Sequence, residues 1–325
     1  NNPIETTWAN RITPETDHFG HRPAAVEYIA TLSNMLGSSP WVNIPHTADD
    51  SYVRGLALFL FQHLRKDVDV FVEHSNEVWN PGFPQGEYAR QEGVARNYST
   101  DAFEAAARYH GQRVQEIAVI FEEIFGAEKA RVKMVLGGWA LACPPWKCGD
   151  FFTREALLWN GTANYVDAIG VAGYFGCGDM GGDSEKQSVI NWNVDQMLDR
   201  CFEHVADVNA SLAPFRAIAD EFGLPLVPYE GGPSISEMSA IHNGGFTESL
   251  TRKFIELNRR QEMEELYSQY LQAYKAAGLP GQGMPWVHFG YTGVYSQYGS
   301  WPMLEYSDQP AEQAPKLRAL MKYID

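Results

Sequence analysis

The stretch VDVFVEHSNEVWN, residues 68–80, carries the first signal of the fold. An apolar strand from Val68 to Ser75 ends in Asn76-Glu77 and passes at once into a loop that contains aromatic residues. A glutamate that enters a core needs a partner there, whereas the carboxyl ends of barrel strands are where active sites form. We therefore interpret Glu77 as a functional residue.

A second stretch, LPLVPYEGGP at residues 224–233, repeats this arrangement. Its short apolar strand ends in Glu230, and the two glycines that follow allow a close backbone approach or an unusual turn. Two glutamates at the carboxyl ends of two barrel strands can point across one cleft. Protonation of a glycosidic oxygen and attack on its sugar require that arrangement, so Glu77 and Glu230 together favour sugar chemistry.

Short apolar runs alternate with long amphipathic stretches along the chain, which is typical of parallel strands joined by crossover helices. The predicted strands are Trp41 to Ile44, Val68 to Ser75, Val132 to Leu136, Val166 to Gly173, Pro225 to Tyr229 and Met284 to Phe289. Helices are predicted near residues 24–36, 50–65, 193–221, 248–277 and 313–323. A further helix begins at the caps Ser99, Thr100 and Asp101 and ends at Gly126.

This α/β alternation suits either a doubly wound sheet or a barrel. A doubly wound nucleotide-binding sheet would place a G-x-G-x-x-G motif or a P-loop straight after its first strand, and neither follows the first predicted strand here. The fold class that we predict is therefore a (β/α)8 TIM barrel, with residues 1–325 as a single catalytic domain.

Composition limits the partners. The chain has 325 residues, 45% of them hydrophobic, and its 25 basic and 41 acidic residues give a net charge of −16. Such a field repels phosphate backbones and anionic lipid head groups, so we expect neither nucleic acid nor a membrane as partner. No apolar run reaches the roughly 18 residues of a membrane span. No nucleotide-binding motif follows the first predicted strand, and the cysteines lack C-x-x-C spacing, so we expect no cofactor and no metal.

Four cysteines, Cys143, Cys148, Cys177 and Cys201, allow three pairings. Cys143 and Cys148 bracket a stiff, proline-containing loop that would gain from a clamp, and Cys177 with Cys201 would then be the second pair. The alternative is four reduced thiols in a cytosolic protein. Three N-x-S/T sequons are compatible with secretion, so we expect an extracellular protein, although no signal peptide is seen.

Asn76-Glu77, followed three strands later by Tyr229-Glu230 and two glycines, resembles clan A of the glycoside hydrolases. These are (β/α)8 enzymes whose acid/base closes strand four and whose nucleophile closes strand seven. The resemblance covers roughly residues 38–300 and implies that Glu77 is the general acid/base and Glu230 the nucleophile. It also matches Asn76 to the asparagine that binds the 2-hydroxyl of the sugar in the cleaved subsite.

Other positions fit the same resemblance. His46 matches a third-strand histidine, Tyr174 matches the sixth-strand tyrosine that hydrogen-bonds the nucleophile, and Trp286 matches the aromatic platform of strand eight. The resemblance implies that all three bind substrate or lie beside it. Ala172 departs from the pattern because many clan members carry a histidine there. The polar network around the nucleophile must therefore differ.

Aromatic residues crowd the predicted strand-end loops, and sugar rings present apolar C–H faces that stack on aromatic side chains. Trp79, after the strand that carries Glu77, and Trp139, after the next strand, are candidate substrate-binding residues. The alternative for each is ordinary packing in a core or loop.

Three further acidic residues have structural interpretations. Glu73 shares side-chain parity with Glu77, so we expect it to point into the barrel core and to partner a buried polar group. Asp49 and Asp50 are interpreted as helix-capping residues, with calcium or substrate binding as the alternative.

The barrel count contains an inconsistency. If Glu77 closes strand four, the strand at Trp41 is number three, and two strands are missing. A barrel that lacks two strands exposes hydrogen-bonding edges. We therefore expect barrel strands one and two to come from residues upstream, cleaved off, held in a second chain or otherwise outside this sequence.

The resemblance to clan A implies retention of configuration. Glu230 would attack the anomeric carbon to form a glycosyl-enzyme, and water activated by Glu77 would release the sugar, with the two carboxyl groups about 5 to 5.5 Å apart. The leading hypothesis is thus a retaining hydrolase of β-linked polysaccharide or oligosaccharide. The main alternative is a non-catalytic carbohydrate-binding barrel, while a serine or metal hydrolase lacks its motifs.

Overall fold

The computed structural model describes residues 7–16, 24–140, 146–178, 180, 185–237, 245–281 and 283–324. The chain divides into two compact units. The first unit contains Asn1–Val171 and Ala217–Pro225, and the second contains Ala172–Arg216 and Leu226–Asp325.

The described residues form five strands in one sheet of order β1-β2-β3-β4-β5. The strands are β1 (Trp41–Ile44), β2 (Val70–His74), β3 (Val132–Gly138), β4 (Ala168–Phe175) and β5 (Leu226–Pro233). Strands β1 to β4 pair in parallel, and the first five predicted strands are confirmed. All five residues of β2 are buried, as expected for a strand that is covered on both faces. A (β/α)8 barrel needs eight strands, so the described residues supply only part of the predicted architecture.

The sixth predicted strand, Met284 to Phe289, is wrong: the structure shows no strand in this segment. Pro285 lacks an N–H donor, and Gly283 and Gly290 have φ values of 78° and 84°, so the backbone cannot continue a regular ladder. The segment still contacts β5, because the Phe289 N–H donates to the Gly231 carbonyl at 2.9 Å.

The helices of the first unit are α1 (Val26–Leu36), α2 (Asp50–His63), α3 (Pro84–Ala95), α4 (Ala102–Phe125) and α5 (Gly149–Leu158). Asp49 and Asp101 are the N-caps of α2 and α4, and each accepts a bond from a backbone N–H three residues on. The capping interpretation of Asp49 is thereby confirmed. Asp50 is instead the first residue of α2, and its carboxylate pairs with Arg113 at 2.8 Å.

Helix α4 places one apolar stripe in the core of the first unit. Val114, Ile117 and Phe121 of this stripe are fully buried, as the helical spacing predicts. Burial of each such side chain is worth about 1.5–3 kcal/mol, so these three contribute much of what holds α4 in place.

The second unit contains α6 (Lys186–Val189), α7 (Val194–His204), α9 (Glu248–Arg259), α10 (Met263–Ala276) and α11 (Pro315–Ile324). Helix α8 (Asp207–Phe222) follows α7 and contains Pro214. Two single helices predicted at 193–221 and 248–277 are therefore each two helices, with breaks after His204 and after Arg259.

Helix α10 carries three tyrosines, Tyr267, Tyr270 and Tyr274, all fully buried. Their spacing of three and four residues places them on one helical face. Leu250 and Phe254 of α9 and Leu266 of α10 are also buried. Aromatic packing therefore forms the core of the second unit beside β5.

Cys177 and Cys201 form a disulfide, as one of the predicted pairings requires. Cys148 is also disulfide-bonded, while Cys143 lies outside the described residues. No helix within the described ranges has both the length and the apolar character to cross a membrane.

Candidate active site

The end of β2 has an unusual backbone. Ser75 and Glu77 have φ values of 61° and 49°, a left-handed conformation that non-glycine residues seldom adopt. The Ser75 N–H still donates to the Ile44 carbonyl of β1 at 2.7 Å, so the chain leaves the sheet directly after this bond. Turns of this kind re-aim the following side chains, here Asn76 and Glu77.

A polar network lies beneath that turn. Glu73 is 2% exposed, and its Oε2 accepts hydrogen bonds from Trp41 Nε1 and Asn43 Nδ2, both at 2.9 Å. The same Asn43 amide donates to the Ser75 carbonyl at 2.5 Å. Asn43 therefore links the Glu73 carboxyl group to the turn that precedes Glu77. The prediction that Glu73 partners polar groups in the interior is confirmed.

Burial determines the charge of Glu73. Removal of its carboxyl group from water raises the pKa to about 8, with a smaller contribution from the negative charge of Glu77, against the lowering effect of the Trp41 and Asn43 donors. Glu73 is consequently protonated at neutral pH. A neutral carboxyl group avoids the cost of a buried, uncompensated charge.

Asn76 and Glu77 are fixed by residues that follow them. Gln85, at the start of α3, donates to the Asn76 carbonyl at 2.7 Å, and Asn80 Nδ2 donates to Glu77 Oε2 at 3.2 Å. Both side chains are half-buried. The carboxyl group of Glu77 thus has a polar neighbour within its own turn and remains partly accessible.

Two buried histidines lie beside this strand end. His74 Nδ1 and His110 Nδ1 are 2.9 Å apart, which requires that one ring donates and the other accepts. Burial lowers the pKa of His110 to about 4 and lowers that of His74 well below its ordinary value. Both rings are therefore neutral near pH 7. His110 lies on α4, 36 residues away from His74, so no local sequence pattern indicates this pair.

The predicted aromatic residues of the first unit come together. Trp79 and Trp139 stack with an interplanar angle of 5° and a centroid distance of 4.9 Å. Trp79 is buried and Trp139 is half-buried. His46 is buried, its ring meets the Tyr88 ring edge to face at 5.2 Å, and burial lowers its pKa. A neutral His46 can accept or donate a hydrogen bond.

In the second unit, Glu230 is half-buried within β5 and precedes Gly231 and Gly232. Tyr174 lies on β4, where its ring meets Phe289 and Trp301 edge to face at 6.0 and 5.2 Å. A cavity of about 190 Å³ adjoins Tyr174 and is lined also by His204 and Asp207. Tyr174 therefore has an aromatic side and a polar side.

The third predicted residue of this unit, Trp286, packs against helix α10. Its ring meets Tyr274 edge to face at 4.6 Å and Tyr270 at 5.7 Å. Its neighbour His288 accepts from or donates to the Tyr267 hydroxyl at 3.0 Å, and burial lowers the His288 pKa to about 4. Within the described residues, no group of three or more histidine, cysteine or acidic side chains could hold a metal ion.

No protein-family model and no curated protein matches the chain. Among solved structures it is similar to a GH5-4 broad-specificity endoglucanase from an uncultured bacterium, at 12% identity and a TM-score of 0.47, over 90% of this chain and 74% of that one. It is also similar to a GH5-4 endoglucanase from Ruminococcus flavefaciens, at 12% identity and a TM-score of 0.43, over 94% and 88%. A hyperthermostable endo-1,4-β-D-mannanase from Thermotoga petrophila is similar at 9% identity and a TM-score of 0.36, over 90% and 94%.

Proposed function

We propose that the chain is the catalytic domain of a retaining glycoside hydrolase that cleaves β-glycosidic bonds of a polysaccharide or oligosaccharide. Glu77 is the general acid/base and Glu230 the nucleophile. The observation that carries the proposal is the left-handed backbone at Ser75 and Glu77, at the carboxyl end of a buried parallel strand. Such conformations cost about 1–3 kcal/mol each and cluster at active sites, where surrounding contacts hold them.

The chemistry follows from the two carboxyl groups. In the first step, the Glu230 carboxylate attacks the anomeric carbon while Glu77 protonates the leaving oxygen, so the glycosidic bond breaks and a glycosyl-enzyme ester forms. In the second step, Glu77 removes a proton from water, the water oxygen attacks the same carbon, and the Glu230 carboxylate leaves. Two inversions give net retention.

The remaining predicted site residues have supporting roles in this proposal. Asn76 binds the 2-hydroxyl of the sugar, and His46, uncharged at neutral pH, hydrogen-bonds another hydroxyl. Trp79 and Trp139 provide an aromatic surface for a sugar face, as do Tyr174 and Trp286 in the second unit. The reaction requires no cofactor. The Cys177–Cys201 disulfide supports secretion, because such bonds persist in oxidising compartments.

The test distinguishes the roles of the two carboxyl groups. With the 2,4-dinitrophenyl β-glycoside of the sugar that the wild-type enzyme releases best from glucan, mannan, xylan or galactan, azide should rescue both Glu77→Ala and Glu230→Ala. Glu77→Ala should yield the β-glycosyl azide, since azide replaces the activated water. Glu230→Ala should yield the α-glycosyl azide, since azide replaces the nucleophile.

Without azide, each variant should hydrolyse polysaccharide at least about 1,000-fold more slowly than wild type, the scale of loss expected for an essential catalytic group. Glu248→Gln is the matched control, because Glu248 is an exposed surface glutamate paired with Arg252. A wild-type protein that binds polysaccharide without releasing reducing sugar would instead establish the non-catalytic binding barrel.

A further inference from the structure

A tyrosine hydroxyl lies between the two strand segments that carry Tyr174 and Glu230. The Tyr270 hydroxyl donates to the Gly173 carbonyl of β4 at 2.5 Å and accepts from the Gly232 N–H of β5 at 3.0 Å. Gly173 directly precedes Tyr174, and Gly232 follows Glu230 by two residues. One side-chain oxygen thus bridges two backbone groups at the point where both strands carry candidate site residues.

Glycines in both strands make room for this hydroxyl and for its neighbour on α10. An ideal Cβ at Gly231 would lie 2.6 Å from the Tyr270 hydroxyl oxygen. At Gly173 it would lie 1.1 Å from the Tyr274 hydroxyl oxygen. Any larger side chain would force these tyrosines away from the strands. Their close packing therefore requires glycine at both positions.

The Tyr270 ring cannot swing aside. It is fully buried and packs against the rings of Phe175 at 4.6 Å, Tyr274 at 4.9 Å and Trp286 at 5.7 Å. Burial also raises the pKa of Tyr270 well above its ordinary value, so the hydroxyl keeps its proton. The hydroxyl therefore occupies one position and can donate and accept at the same time.

The backbone conformation of Gly232 gives the hydrogen bonds of the Tyr270 hydroxyl a structural role. Its φ of 138° is a conformation that residues with side chains rarely adopt, and the peptide chain beyond Glu230 would be free to choose others. The bond from Gly232 N–H to Tyr270 selects this conformation, and the bond to Gly173 fixes the neighbouring strand relative to it. The direction in which the Glu230 side chain leaves β5 depends on both.

We propose that Tyr270 is a positioning residue for the nucleophile: its hydroxyl holds the backbone on either side of Glu230 and of Tyr174 in the geometry that attack on the anomeric carbon needs. This inference rests on the proposed function. A small misplacement of an attacking group can cost a factor of up to about 100 in rate, so loss of one hydroxyl group is measurable.

The test is Tyr270→Phe, which keeps the ring and removes both hydrogen bonds. The matched control is Tyr295→Phe, because Tyr295 is also buried in the second unit and its hydroxyl donates to one backbone carbonyl, that of Pro302, at 3.1 Å. The probe is the 2,4-dinitrophenyl 2-deoxy-2-fluoro-β-glycoside of the preferred sugar. Glu230 displaces dinitrophenolate from it, and mass spectrometry follows the covalent label.

We expect Tyr270→Phe to label Glu230 at least about tenfold more slowly and to lower kcat for the unfluorinated glycoside by a similar factor, with KM changed less than about threefold. Hydrogen exchange of the Gly232 amide should accelerate in the same variant. Tyr295→Phe should keep the wild-type labelling rate, even where its melting temperature falls as far as that of Tyr270→Phe.

The outcomes distinguish the role of Tyr270 from the proposed function. An active, labelled wild type whose Tyr270→Phe variant is labelled at the same rate overturns the role of Tyr270 and leaves the proposed function in place. Equal losses in Tyr270→Phe and Tyr295→Phe overturn it as well, since stability alone would then explain them. A wild type that is neither labelled nor active overturns the proposed function, and the positioning role with it.

Discussion

The segments that carry Glu77 and Glu230 are held by different means. Beside Glu77, the supporting groups are polar and titratable: a buried carboxyl group at Glu73, the Asn43 amide and the His74–His110 pair. Beside Glu230, they are glycines and buried tyrosines. The first arrangement depends on which groups carry protons, and the second depends on volume. The two regions should therefore respond to different perturbations.

The pKa values also distinguish the two regions. Glu73, with a pKa of about 8, changes charge near neutral pH. Burial raises the pKa of Tyr267 and Tyr270 well above their ordinary range, so their hydroxyl groups stay neutral at any working pH. The region around Glu77 should thus be the pH-sensitive one above neutrality.

The largest expected effect is on the pH dependence of stability in Glu73→Gln. Between pH 4.5 and about 8, folded Glu73 keeps a proton that the unfolded chain has released. The contribution of Glu73 to the free energy of unfolding is complete below this window. It is lost as pH rises through the window, by at most about 1.4 kcal/mol per pH unit. Glutamine carries no titrating proton, so the variant should lack this decline and gain on the order of 4 kcal/mol relative to wild type by pH 8.

Urea unfolding of both proteins at several pH values between 4.5 and 8.5 measures this difference. Every other titrating group is common to the two proteins, so the comparison isolates Glu73. Parallel pH profiles for the free energy of unfolding would contradict a raised pKa at this position.

The next largest effect contrasts two glycine substitutions. Gly173→Ala places a Cβ within 2.0 Å of the rigid Tyr274 ring and should cost about 3 kcal/mol or more. Gly137→Ala places one 2.2 Å from the Glu73 carboxyl oxygen, the far end of a side chain with more rotatable bonds than tyrosine, and should cost about 1 kcal/mol. Chemical denaturation gives both values. Equal costs would show that the tyrosine packing is no stiffer than the polar network.

A smaller effect is expected for Asn43→Leu, which removes the amide that joins Glu73 to the Ser75 carbonyl. Loss of two hydrogen bonds should lower the free energy of unfolding by about 2 kcal/mol. Because the turn before Glu77 loosens, hydrolysis of glycosides with poor leaving groups should suffer more than hydrolysis of dinitrophenyl glycosides. Trp41→Phe, which removes a single donor to Glu73, is the control. Equal losses on both substrates would disconnect this network from acid catalysis.

The smallest effect is predicted for Ser75→Gly. Glycine adopts a φ of 61° without the roughly 1 kcal/mol or more that serine requires, but it also gives the unfolded chain more freedom. The net gain in stability should be about 0.5 kcal/mol, visible as a small rise in melting temperature. A clear loss of stability would mean that the serine side chain makes a contact worth more than the strain.

Much of the sheet could be predicted from the sequence because each strand is a local apolar run. The strands β1 to β5 lie within a few residues of their predicted bounds, and Asp49 and Asp101 cap helices as their types suggest. Helix α3 was not predicted, because its sequence, PQGEYARQEGVA, is polar, contains two glycines and has no apolar stripe. The strand prediction at 284–289 was wrong because it relied on the apolar composition of the segment. It gave too little weight to Pro285 and the flanking glycines.

The candidate site also contains some features that the sequence predicts and others that it does not. The inward direction of Glu73 follows from the alternation of side chains along a strand, and the sequence therefore predicts it. The sequence contains no signal for the left-handed backbone of Glu77 or for the partner of His74. Both depend on residues from other elements.

By itself, the sequence determined where the five strands lie, that Asp49 and Asp101 cap helices, and that Glu77 follows an apolar strand; Glu230, predicted to end its strand, lies within β5. These properties depend on periodicity and on contacts within a few residues. Only the tertiary structure decided that Tyr270 bridges Gly173 and Gly232, since 97 residues separate Tyr270 from Gly173. It also decided that Asn43 reaches Ser75. Such contacts arise when packed helices and strands bring distant side chains to backbone groups left without a regular partner, and no local pattern encodes that meeting.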